Sequence, residues 1–203
     1  MVVIVDYNLG NLKSVAAAVE RVGAKAIISN ARIDIRKADK LILPGVGAFR
    51  DGMQNLKTLN LIEPLEEARR KGIPVLGICL GFQLMAKESY EFGHHNGLGW
   101  LNASVRKIDT SESRLPIPHV GWNDLIKLKG SPFFEGIPSA ALFYYVHSFY
   151  VDCEDTEIVI GECEYGMKFT AVAQSGNIYG TQFHPEKSQY YGLVLLKNFI
   201  ENT

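Results

Sequence analysis

The chain has 203 residues, 47% of them hydrophobic, with 21 basic against 22 acidic side chains and a formal net charge of -1. A chain of this size buries a core without disulfide or metal staples, and its near-neutral charge offers no basic field to nucleic acid or to an anionic membrane surface. No apolar run reaches the roughly 18 to 20 residues that span a bilayer, and "MVVIVDYNLG" lacks the charged region and small-residue cleavage site of a signal peptide, so a cytoplasmic protein is expected.

The run "VVIVD" (2–6) predicts a buried strand, and "NLKSVAAAVERVG" (11–23) a helix with Leu12, Val15, Ala16, Val19 and Val22 on one face and Gly23 at its end. "AKAIIS" and "KLILP" predict the next two strands, residues 48–70 a helical stretch, "IPVLGI" a fourth strand, and "LGFQLMAKE" after Cys79 another helix. Strands that alternate with helices and carry nearly continuous apolar residues predict a parallel sheet covered on both faces. The second half changes character. "LGWLNASVRKID", "ALFYYVHSFYVD", "TEIVIGECEY", "KFTAVAQSG" and "NIYGTQFHPE" predict antiparallel strands added to that sheet or packed beside it, and "GLVLLKNFIEN" predicts a closing helix. With no repeat, low-complexity tract or linker, one α/β domain over residues 1–203 is expected. Ligands of such sheets sit at the carboxyl ends of the strands. "DYNLGN", "PGVGAF" and "GICLG" all fall there.

Three cysteines, odd in number and widely spaced, predict neither a disulfide framework nor a zinc site, and Cys153 and Cys163 read as small buried hydrophobes in strands. Cys79 differs, because "GICLG" places it between two glycines at a strand-to-helix junction. This is the pattern of a nucleophile elbow with a thiol in place of the serine hydroxyl. A structural cysteine is the alternative reading of the pentapeptide alone. A helix N-terminus favours the thiolate, and the N–H of Leu80 is placed to stabilise an oxyanion.

A thiolate nucleophile needs a proton carrier, and the chain has five histidines. His94 and His95 lie in a Gly/Asn-rich loop, where adjacent histidines alone do not make a site. His184 in "QFHPEKS" follows an apolar strand, with Glu186 two residues on. If strand alternation runs past Pro185, both side chains point the same way and the carboxylate orients the imidazole. The glycines around Val46 in "LPGVGAF" free the backbone to aim N–H groups at a ligand. Gln83, one helical turn beyond Cys79, shares its face, either to read a polar substrate or to stand in solvent.

With these stretches in place, the chain resembles the class I, triad-type glutamine amidotransferases. Within them it is similar to the family of glutaminase subunits of imidazole glycerol phosphate synthase, a likeness carried by "DYNLGNLKSV", "PGVGAF", "PHVGWN", "YYVHSFY" and "QFHPEKSQ". The resemblance implies a flavodoxin-like three-layer sandwich with a mostly parallel central sheet and added antiparallel strands. It implies Cys79, His184 and Glu186 as a triad that hydrolyses L-glutamine to glutamate and ammonia through a thioester, without cofactor or metal. By the same resemblance Gly45, Val46, Gly47, Gln83, Ser148 and Phe149 hold glutamine, and the N–H groups of Leu80 and of Val46–Gly47 face the oxyanion. The implied partner is a (β/α)8-barrel cyclase in a heterodimer, which takes the ammonia through its interior and forms imidazole glycerol phosphate and an aminoimidazole carboxamide ribotide in histidine biosynthesis. Asn8, Asn11, Trp122, Tyr145 and Lys187 are expected at that interface. The glycines of "PGVG" further predict an oxyanion loop with two backbone states, the productive one favoured by the loaded barrel. The alternatives are a glutaminase feeding another synthase, in surface-sugar amidation or pyridoxal phosphate synthesis, a non-enzymatic regulatory domain of the same fold, and a cysteine peptidase.

Overall fold

A computed structural model describes residues 1–203. The first half alternates strand and helix: β1 (Val2–Val5), α1 (Leu12–Arg21), β2 (Ala26–Ser29), α2 (Arg32–Lys37), β3 (Lys40–Gly45), α3 (Phe49–Thr58), α4 (Ile62–Arg70), β4 (Val75–Cys79) and α5 (Leu80–Leu84). Strands dominate thereafter: β5 (Ala86–Ser89), β6 (His95–Asn96), β7 (Leu101–Lys107), β8 (His119–Asp124), β9 (Ile126–Lys127), β10 (Leu142–His147), β11 (Phe149–Cys153), β12 (Val159–Glu164), β13 (Lys168–Ser175) and β14 (Ile178–Thr181). Helix α6 (Gln189–Glu201) closes the chain.

Eight strands form the central sheet in the order β2-β1-β3-β4-β14-β13-β12-β9. The first five are parallel to their neighbours, and β13, β12 and β9 extend the sheet in antiparallel fashion. Successive side chains of β1 enter different cores, Val2 and Ile4 on one face and Val3 and Val5 on the other. Helices α1 and α6 cover the first face with Val15, Val19, Leu195, Leu196 and Phe199. Ile35, Met53, Leu56, Leu65 and Phe82 of the remaining helices cover the second. A fully buried Val or Leu contributes about 1.5–3 kcal/mol relative to leaving it exposed, so an uninterrupted apolar strand is stable only when both faces are covered. That requirement produces the three layers.

The helical stretch expected over 48–70 is two helices. At the end of α3 the Asn60 N–H donates to Lys57 O (3.0 Å) and the Leu61 N–H to Leu56 O (2.9 Å), with Asn60 at φ +53° and both leucines buried. This is a Schellman ending. Gly23 and Gly72, at φ +88° and +79°, close α1 and α4 in the same way. The helix expected after Cys79 stops at Leu84, because the carbonyls of Leu84 and Met85 accept from the N–H groups of Leu98, Trp100 and Leu101 instead of from a further turn. Residues 86–89 become β5 in a separate four-stranded sheet of order β11-β7-β5-β6. "ALFYYVHSFYVD" is likewise two strands, with β10 paired to β8 in a two-stranded ribbon and β11 in the four-stranded sheet. The segment containing β8 carries no strand signal of its own, since Pro116, Pro118 and Gly121 interrupt it.

Candidate active site

Cys79 ends β4, opposite Gly45 of β3 in the parallel ladder, at φ +53° and ψ -108°. L-residues rarely adopt this conformation, at a cost of about 1–3 kcal/mol. The positive φ falls on the cysteine itself, and the glycines on either side allow the sharp turn by leaving room for it. A Cβ on Gly77 would lie 2.7 Å from the Phe82 backbone, and one on Gly81 would overlap the Leu43 carbonyl oxygen. Strand β4 thus turns into α5 so tightly that α5 and β3 occupy the space of any side chain at 77 or 81.

His184 is held through its backbone. Its N–H donates to Tyr144 O (2.9 Å), and its carbonyl accepts the Ser188 hydroxyl (2.6 Å), whose oxygen in turn accepts the Tyr144 N–H (2.9 Å). The strand does not continue past Pro185. It ends at Thr181, and Pro185, which has no N–H to give a ladder, begins a 3-10 turn through Lys187. That turn, rather than strand alternation, brings Glu186 Oε1 to 2.8 Å from His184 Nδ1, with both side chains 2% exposed. His184 Nε2 has no hydrogen-bond partner. Burial opposes charging the ring, yet the Cys79 thiolate and the Glu186 carboxylate outweigh it and raise the His184 pKa well above the usual imidazole range.

In front of the thiol lies a pocket of ≈ 310 Å³. Val46, Gly47, Leu80, Gln83, Ser148 and Phe149 line it together with Cys79. Gly45 does not: it packs behind, where the Tyr7 hydroxyl and Leu80 occupy the position of a Cβ. Gln83 is neither solvated nor free to read a ligand with its nitrogen, because Nε2 donates to Phe149 O (2.8 Å) and Gln182 Oε1 (3.3 Å). Gln182 Nε2 reaches Cys79 Sγ at 3.7 Å. Sequence reasoning passed over Gln182, although it stands two residues before His184. It also passed over Glu91, which lines the pocket and whose Oε2 accepts the Phe49 N–H at 2.6 Å. Burial raises the Glu91 carboxyl pKa against that hydrogen bond. No local signal marks Glu91, because its place depends on how the second sheet packs against α3.

Residues 3–202 match the family model described as glutamine amidotransferase class-I. The chain belongs to the class-I glutamine amidotransferases. It is 50% identical over 203 residues to the imidazole glycerol phosphate synthase subunit HisH 1 of Campylobacter jejuni, covering 98% of this chain and 99% of that one. Against subunit HisH 2 of Pseudomonas aeruginosa it is 44% identical over 202 residues, 99% of each chain. A solved glutamine amidotransferase superposes with a TM-score of 0.75 at 20% identity, covering 98% of this chain and 99% of that one. PurLQS from Thermotoga maritima does so at 0.75 and 19%, covering 99% and 97%. At that identity the two structures report the fold alone.

Elsewhere on the amidotransferase, Asn8 (φ +65°) and Asn11 are exposed in the loop after β1, which packs through Gly10 against Gly45. Trp122 is 45% exposed and meets Tyr144 edge-on at 6.0 Å, and Lys187 Nζ stands 5.7 Å from the centre of the same tyrosine ring. Tyr145, expected at the partner interface, is fully buried. Side chains of β10 alternate, so its neighbour Tyr144 takes the outward position. His94 is engaged by Glu88 at 2.7 Å, away from the pocket. Burial pushes the thiols of Cys153 and Cys163 up to about 11 and about 12, which suits small apolar side chains rather than nucleophiles.

Proposed function

We propose that this amidotransferase is the glutaminase subunit of an imidazole glycerol phosphate synthase, with Cys79 as nucleophile, His184 as proton carrier and Glu186 as the group that orients the imidazole. The observation that carries the reading is a thiol held at positive φ in the wall of a pocket, beside a buried histidine whose Nδ1 is bound by Glu186 and whose Nε2 has no hydrogen-bond partner. The relatives' printed names support the choice of synthase.

In this reading Cys79 gives its proton to His184 Nε2 and attacks the side-chain amide carbon of glutamine as the thiolate, and the N–H groups of Leu80 and of the Val46–Gly47 segment receive the oxyanion. His184 Nε2 then gives a proton to the departing nitrogen, ammonia leaves and a thioester remains. A water molecule loses a proton to the same nitrogen, attacks the thioester and releases glutamate. Ser148 and Phe149 form the pocket wall, and the Glu91 carboxylate is the acidic group for the substrate's α-ammonium. Ammonia is protonated and lost in open solvent, so its release is productive only beside an enzyme that consumes it. The proposed recipient is a (β/α)8-barrel cyclase, which carries the lyase step and docks on the face bearing Asn8, Asn11, Trp122, Tyr144 and Lys187.

The test is glutamine hydrolysis by wild type and Cys79→Ser, each with and without the cyclase and its nucleotide substrate. Wild-type turnover is expected to rise with the loaded cyclase, and the variant to lose about 10³-fold or more. Turnover independent of the cyclase, or hydrolysis retained without the thiol, would overturn the reading.

A further inference from the structure

A chain of hydrogen bonds runs from the surface of the β8–β10 ribbon to the buried nucleophile. Asn123 Nδ2 donates to Glu164 O at 2.9 Å and lies 3.5 Å from His119 Nε2. His119 Nδ1 is 3.2 Å from His147 Nε2, and His147 Nδ1 is 2.8 Å from Phe149 O. That same carbonyl accepts Gln83 Nε2 at 2.8 Å, and through Gln182 the chain ends on Cys79 Sγ. The direction of each bond follows from chemistry. A carbonyl only accepts and an amide nitrogen only donates. His147 therefore carries its proton on Nδ1 and accepts at Nε2, and His119 does the same.

We propose that His119 and His147 are positioning residues, a neutral imidazole pair that holds the pocket wall from Val146 to Phe149 and the Gln83 amide in register for the substrate; the role in substrate binding rests on the glutaminase reading above. His147 bonds the first carbonyl of β11 at the point where the chain leaves the ribbon for the four-stranded sheet, and Val146, His147, Ser148 and Phe149 all line the pocket. The two rings stand opposite each other in the β8–β10 register. They are also clamped: His119 is stacked between Tyr145 (centroids 4.9 Å, planes 21° apart) and Tyr165 (4.0 Å, 20°), and His147 meets Phe169 edge-on at 5.1 Å. Burial pushes His119 down to about 4. It pushes His147 to about 3 against the opposing Phe149 bond, and His119 and His184 depress His147 further. Two buried imidazoles without these bonds would destabilise the core, so their presence is explained by what they hold.

Two readouts test this on the full chain. The first is the histidine ¹⁵N spectrum near neutral pH, where both rings are expected as the Nδ1–H tautomer in wild type and in Cys79→Ser. The second compares glutamine kinetics of His147→Leu and His147→Asn with the loaded cyclase present. An asparagine amide nitrogen stands where Nδ1 stood and keeps the donor to Phe149 O, whereas leucine removes it. His147→Leu is expected to raise KM about 10-fold with kcat within about 3-fold, and His147→Asn to return KM to within about 3-fold of wild type. If His147→Leu does not fold, His119→Leu breaks the chain one ring earlier and is expected to raise KM and to release the fixed tautomer of His147. Equal KM in the Leu and Asn variants, or an Nε2–H tautomer in either wild-type ring, would overturn the proposal. A wild type that hydrolyses no glutamine would end the glutaminase reading alone, and the tautomers would still decide whether the pair is held as described.

Discussion

At Cys79 the backbone strain is sustained by the two parallel ladders that grip β4, with β3 on one side and β14 on the other. Holding the thiol there leaves no space at the neighbouring glycines. Gly81→Ala would drive a methyl group into the Leu43 carbonyl oxygen, a rigid backbone atom, so a loss of about 3 kcal/mol or more in urea unfolding is expected. Gly176→Ala is the comparison: Gly176 has φ +55° with open space around it, and its expected cost is only about 1 kcal/mol, from backbone conformation alone. Histidine shows how environment divides one residue type into different roles. His184, beside Glu186 and Cys79, is held well above the usual pKa, whereas His119 and His147, buried without a carboxylate partner, are held far below it. The sequence makes the "HPE" signal legible because a proline and a carboxylate follow the ring directly. It hides the His119–His147 pair, because those two residues meet only through a strand pairing.

Among the elements, those defined by local pattern are the ones that sequence places well. Helix α1 and strands β1 to β4 arise from apolar periodicity within a few residues, and their glycine endings are visible in the text of the chain. The break between α3 and α4 is less visible, because Asn60 rather than glycine takes the left-handed position. Asn60→Ala is expected to destabilise by about 1 kcal/mol in urea unfolding, since asparagine tolerates that conformation better than alanine does. Strands β5 and β8 escaped sequence reading for another reason. The partners of β5 begin at His95 and Leu101 and that of β8 at Leu142, and neither strand has enough alternating apolar residues to declare itself without its partners.

For the molecule as a whole, three sheets meet around one pocket, and no helix is long and apolar enough to cross a membrane. The exposed ribbon face carrying Trp122 lies on the same two strands that hold His119 and His147 inward. Trp122→Ala is therefore expected to leave hydrolysis by the isolated chain within about 2-fold and to weaken its response to the cyclase about 10-fold, as read from turnover against cyclase concentration. An unchanged response would remove Trp122 from the proposed docking face. The sequence by itself determined the order of strands and helices in the first half, the elbow at Cys79 and the His184–Glu186 neighbours, because each is written in residues adjacent along the chain. Only the tertiary structure decided that Tyr144 faces outward and Tyr145 inward, that Gln83 braces Phe149, and that Glu91 and His147 reach the pocket. Those outcomes depend on register and side-chain direction between distant segments, which no local pattern carries.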